Sequence, residues 1–149
     1  MMSSYEKLRN ITEGLCSDLH LHLIDLEVKG DKSKPLYQVF ADSEKGITLG
    51  ECEQLSRLIQ DEIDIDDDFP LKYRLDVSSP GLDKPLVEDF QFDRCIGKNI
   101  TFTFEESKNN VIGKLKSFNE KMLIIENKKG IEQQYSRSKI GEVKIKLQW

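Results

Sequence analysis

The segment Leu75-Asp76-Val77-Ser78-Ser79-Pro80-Gly81-Leu82-Asp83-Lys84-Pro85-Leu86 divides the chain in two. Ahead of it, Leu71, Tyr73, Leu75 and Val77 alternate with Lys72, Arg74, Asp76 and Ser78, the period of a strand with one buried face. The alternation stops at Pro80-Gly81. Proline fixes φ at the second position of a tight turn, and glycine supplies the positive φ that a type II turn needs next. Pro85 follows shortly after, so the segment is short of amide donors and conformationally restricted. Residues 81–87 therefore read as a rigid junction between a unit at 1–80 and a unit at 88–149. Ser78, Ser79, Pro80, Gly81, Leu82, Asp83 and Pro85 are the residues assigned to it.

Charge changes sign at the same place. Residues 1–80 hold 9 Lys and Arg against 17 Asp and Glu, a balance of −8, whereas residues 81–149 hold 13 against 10, a balance of +3. Such asymmetry predicts that the halves meet different partners, nucleic acid being a candidate for the basic one. At 149 residues, with 38% hydrophobic and 33% charged content, the chain has the make-up of an ordinary globular protein. No apolar run approaches the roughly 20 residues of a membrane span. Met1-Met2-Ser3-Ser4-Tyr5-Glu6 lacks the basic and apolar regions of a signal peptide, so a cytoplasmic location and no membrane partner are expected. Cys16, Cys52 and Cys95 are odd in number and form no C-x-x-C pair, which predicts reduced packing residues.

The acidic half reads helix, strand, strand, helix, strand. Ser3 and Glu6 fit a capping box, and Tyr5, Leu8, Ile11, Leu15 and Cys16 then recur at helical spacing to about Leu19. Ile24, Leu26 and Val28 alternate with charged residues over 22–29, and a second strand runs from Leu36 to Asp42. Thr48 and Glu51 form a second capping box ahead of a helix carrying Cys52, Leu55, Ile59 and Ile63 on one face. Leu71–Ser78 is the third strand. Two helices over three strands make a sound layer architecture, and the order resembles the KH-like arrangement without the G-x-x-G loop that clamps a nucleic-acid backbone.

The basic half reads as short strands. A turn or short helix at Glu88–Arg94 precedes Asn99–Glu105, where Ile100, Phe102 and Phe104 alternate with threonines. Val111–Phe118 and Lys121–Asn127 flank an Asn119-Glu120 turn, and Lys128-Lys129-Gly130 is the next hairpin tip. Strands near Gln133–Tyr135 and Val143–Leu147 complete five, and a five-stranded SH3-like barrel is the economical arrangement for about 60 residues. The fold class is thus α+β, an N-terminal KH-like α/β domain (α-β-β-α-β) followed by a C-terminal SH3-like β-barrel.

Chemistry-bearing patterns are few. Asp64-Ile65-Asp66-Asp67-Asp68 fails as a calcium loop because Phe69 and Leu75 stand where Gly and Glu are needed. His20-x-His22 has no third ligand at a sensible spacing, so no metal is assigned. No histidine follows Ser79, and neither a nucleophile elbow nor a phosphate-cradling glycine loop occurs. A non-enzymatic protein without cofactor or small-molecule substrate is the expectation. The lysines of the second half remain. Lys114 and Lys116 share one strand, Lys144 and Lys146 another, and Lys128 and Lys129 sit at a hairpin tip. They read either as an edge-guarding solvated exterior or as a footprint for RNA phosphates. Lys84, Lys114, Lys116, Lys128, Lys129 and Lys139 are the candidate RNA contacts.

Ser78-Ser79-Pro80-Gly81-Leu82-Asp83-Lys84-Pro85-Leu86 resembles the signature of the RimP family, bacterial ribosome maturation factors. Leu23-Ile24-Asp25-Leu26-Glu27, and Ile47-Thr48-Leu49 followed by Cys52, Leu55, Ser56 and Arg57, are similar to the family's first strand and second helix. Ala41-Asp42-Ser43-Glu44-Lys45-Gly46 departs from the proline- or glycine-bearing loop often found there. Phe90, Gly97, Gly113 and Leu115 fit the family's terminal barrel. The resemblance implies binding to the immature small ribosomal subunit, through ribosomal RNA and the small-subunit ribosomal protein numbered twelve. A protein-binding adaptor with an SH3-like module is the alternative. It needs an aromatic groove, and the aromatic residues here face inward by alternation.

Overall fold

The computed structural model describes residues 3–82, 84–104 and 109–146, and the chain divides into two compact units, Met1–Pro80 and Gly81–Trp149. The first is built as α1 (Ser4–Asp18), β1 (His22–Asp31), β2 (Lys34–Asp42), α2 (Leu49–Asp64) and β3 (Arg74–Ser78). Ser3 Oγ accepts from the Glu6 N–H at 3.1 Å and starts α1. Thr48 and Glu51 cap α2 reciprocally, Oγ1 accepting from the Glu51 N–H at 3.1 Å and Oε1 from the Thr48 N–H at 3.0 Å. β1 and β2 pair antiparallel, whereas β3 runs parallel to β2, a pairing that needs the crossover α2 provides.

Leu8 and Cys16 of α1 and Leu55, Ile59 and Ile63 of α2 are buried in one cluster with Leu26, Tyr37, Val39 and Ala41 of the sheet. Burying each of the Leu, Ile and Val side chains among them contributes roughly 1.5–3 kcal/mol. Thr12 is also fully buried in the α1 stripe, its hydroxyl donating to the Leu8 carbonyl at 2.7 Å. Burial raises all three cysteine thiols, Cys16 to about 11, as expected of packing residues.

Two strand assignments need correction. The β1–β2 register slips between Leu23 and Asp25, so Ile24 is the extra residue of a bulge and Leu23 joins the core instead. The third strand begins at Arg74, not Leu71, and Leu71 is 97% exposed. Pro70 has no N–H, and Pro35, the β2 residue next in line to face Tyr73, has none either, so the ladder cannot extend backwards.

The second unit holds α3 (Asp89–Arg94), β4 (Asn99–Thr103), β5 (Asn110–Phe118), β6 (Met122–Glu126), β7 (Glu132–Ser136), a 3₁₀ turn at Arg137–Lys139 and β8 (Lys144–Ile145). Phe92 and Cys95 cover a core made of Ile100, Phe102, Leu115, Leu123, Ile125 and Val143. Gly113 is placed by close approach: a Cβ there would run into Ile125 Cγ2 and stand 3.0 Å from the Glu126 carbonyl oxygen. The strands form an antiparallel sheet in the order β7-β6-β5-β4-β8. β7 and β8 remain its two edges, so among the described residues the sheet is antiparallel and open, without the closure expected of a barrel. Glu105, Leu147 and Trp149, which the sequence reading placed in or after strands, lie outside the described residues.

Gly81 has φ +61°, and a methyl there would meet nothing within 4 Å, so conformation and not space selects glycine. The turn is formed by Gly81 and Leu82, with Pro80 ahead of it, not at its second position as the type II reading required. Asp83 lies outside the described residues. The end of the junction is fastened to the second unit by the Leu86 N–H, which donates to the Val143 carbonyl at 2.7 Å.

Candidate nucleic-acid interface

Residues directly opposite one another on paired strands show their side chains on the same face. With Ile100, Leu115 and Ile125 turned to the core, the outward rows follow from register. One row joins Lys146, Asn99, Lys114, Glu126 and Glu132, with the Lys146 N–H on the Asn99 carbonyl at 2.9 Å. The next joins Lys144, Thr101 and Ile112. The β5–β6 register slips between Leu115 and Ser117, so Lys116 is an extra residue in a bulge. Its ammonium still reaches Oε2 of Glu126, the residue opposite Lys114, at 3.5 Å.

The β6–β7 tip completes this face. Asn127 Oδ1 accepts from the Lys129 and Ile131 N–H groups at 2.9 and 3.0 Å, and Gly130 takes φ +80°. This Asx turn fixes the backbone of Lys128 and Lys129, which with Asn127 and Ile112 border a shallow hollow of about 410 Å³. Lys114, Lys116, Lys128, Lys129, Lys144 and Lys146 therefore converge on a floor of Thr101, Asn99 and Ile112. Glu126 interrupts them, so the charge is a broken band of cations.

The other two assigned lysines lie apart. Lys139 is on the 3₁₀ turn, next to Ile140, which bridges Phe104 at the far end of β4 from Asn99. Lys84 is in the junction, two residues before the bond from Leu86 to Val143. Arg137, which the sequence reading passed over, is pinned with its guanidinium 4.6 Å from the Phe92 ring centroid and donating to the Asn119 carbonyl at 2.8 Å. That is a packing role for the stem and the fork together.

In the first unit the acidic run is partly neutralised from within. Lys7 of α1 lies 2.6 Å from Asp66 and 2.8 Å from Asp68, and Tyr73 donates to Asp64 at 2.7 Å. The bond from Lys7, aided by the Asp68 N–H, holds the Asp66 carboxyl below its ordinary range. The run thus ties α1 to the loop after α2, which the plain reading as a solvated stretch missed. Nothing in the spacing from residue 7 to residues 66–68 signals the contact. His20 and His22 line a depression of about 820 Å³ with Ser43, Glu44 and Gly46, and neither Ser78 nor Ser79 borders it. Among the described residues no three His, Cys, Asp or Glu side chains gather as metal ligands, and no helix is long and apolar enough to cross a membrane.

Residues 11–83 match the family model of the RimP N-terminal domain. The chain belongs to the RimP family. The match runs from within α1 through β3 and ends in the junction, so it takes in Ser78, Ser79, Pro80 and Gly81 of the stretch that first signalled the resemblance. RimP proteins are ribosome maturation factors, and the lysine face described above lies in the unit that follows the matched domain.

Proposed function

We propose that this protein is a non-catalytic assembly factor that binds the immature small ribosomal subunit in the cytoplasm. The match of residues 11–83 to the RimP N-terminal domain carries the reading. The second unit, read as an SH3-like barrel, contributes phosphate contacts from Lys114, Lys128, Lys129, Lys144 and Lys146, with Lys84 and Lys139 at its margins. Such contacts position a protein on RNA without reading bases, and the floor of Thr101, Asn99 and Ile112 has no aromatic ring on which a base could stack. The acidic first unit meets a basic partner, the small-subunit ribosomal protein numbered twelve, where opposite fields raise association rate and help select the partner. No cofactor and no small-molecule substrate enter.

The test is co-sedimentation. Tagged protein in growing cells should migrate with small-subunit precursors and be depleted from mature subunits and translating ribosomes. Protein found only at the top of the gradient, with intact precursors present, refutes the assignment.

A further inference from the structure

We propose that the free edge of β3, with the groove between β3 and α2, takes up an extended lysine-rich segment of a protein partner as an added strand. Among the described residues, the sheet order β1-β2-β3 leaves β3 bonded on one side only. Beside it runs a groove of about 540 Å³, walled by Leu49, Cys52 and Glu53 of α2 and by Leu75, Asp76 and Val77 of β3. Edge strands are ordinarily guarded by bulges, lysines or prolines. β1, the opposite edge, has its bulge at Ile24 and carries Lys29. β3 pairs with β2 in unbroken register from Arg74 to Ser78, and its one cation, Arg74, stands 3.8 Å from Asp76.

Two observations define the occupant. Leu49 is 78% exposed at the rim, with Leu75 and Val77 half-buried below it, so every second side chain of an added strand meets apolar surface. Glu53 and Asp76, both exposed, set the sign of the charge and disfavour a nucleic acid. Five residues of β3 offer roughly 17 Å of edge. The inference deepens the protein-partner half of the functional reading and rests on it for the source of the segment; the RNA face takes no part.

The experiment titrates isotope-labelled full-length protein with an acetylated, amidated peptide of alternating lysine and valine. A peptide of alternating lysine and proline carries the same charge but cannot join a sheet, and serves as control. The first peptide should shift the amides of Leu75–Ser78 and of the opening turns of α2, and the second should not. Asp76→Lys with Glu53→Lys should weaken the first at least tenfold while leaving the remaining amide spectrum in place. Equal binding of the two peptides, shifts gathered at Asp64–Asp68, or full affinity in the double variant would each overturn the proposal. So would β3 shifts that grow with protein concentration alone, since a second copy would then hold the edge. Peptide binding without co-sedimentation sinks the ribosomal reading and leaves this one standing.

Discussion

Replacing Lys114, Lys128, Lys129 and Lys144 together by glutamine tests whether the convergent lysines hold RNA. All four lie around Ile112 on one face; Lys116, which pairs with Glu126 at 3.5 Å, is left in place. Each phosphate neutralised contributes about 0.7–0.9 to the slope of log K against log salt. Four lost contacts should therefore flatten the slope by about 3, and at about 0.1 M salt cost some three orders of magnitude in affinity. Charge neutralisation on an outward sheet face should change stability by no more than about 0.5 kcal/mol. Fluorescence anisotropy of a labelled helical fragment of small-subunit ribosomal RNA, across a salt series, gives both slopes. Lys116→Gln alone should remove less than a full contact, because Glu126 already competes for its charge. Parallel lines for the wild type and the quadruple variant, with matching thermal melts, refute the reasoning: the lysines would then only solvate the sheet and guard its edges.

Three further outcomes follow from the geometry. Gly113→Ala forces a methyl against Ile125 Cγ2 and the Glu126 carbonyl, which should cost about 1–3 kcal/mol in denaturant titration, and Ile125→Ala in the same chain should show a coupling that recovers part of it. Gly81→Ala meets open space but an unsuitable φ of +61°, so it should cost roughly 1 kcal/mol, and D-alanine introduced there by semisynthesis should restore stability; equal effects of the two enantiomers would contradict the conformational account. The Asp66 carboxyl is held below its ordinary value of 3.8 in the fold, so its contribution is full above that value and is lost as pH falls through the lower folded-state one. Wild-type stability should drop more steeply than that of Lys7→Ala below about pH 4, and parallel curves would show that the bridge to Asp66 adds nothing.

Local signals carried the elements of this protein. Thr48 and Glu51 state the start of α2 because a cap is satisfied within four residues, and Leu55, Ile59 and Ile63 state its buried face because the helical period is fixed by the backbone. The resemblance of residues 78–86 anticipated the family that the match over residues 11–83 establishes. Errors came where a distant residue set the outcome. Ile24 alternates correctly in sequence, yet a bulge against β2 hands its core position to Leu23. Leu71 alternates too, but Pro35 and Pro70 deny the ladder an N–H.

The convergence of Lys114, Lys128 and Lys144 about Ile112 was equally invisible, because it depends on which strands pair and in which register. The tie from Lys7 to Asp66 and Asp68 depends on how α1 lies across α2. By itself the sequence determined the order of helices and strands in the first unit, the place where the charge changes sign, and the glycine conformation at residue 81, all set by interactions reaching only a few residues along the chain. The tertiary structure alone decided which strands become edges, which lysines share a face, and which acids are already paired. Those outcomes rest on contacts between residues far apart in sequence, where side-chain period and local caps carry no information.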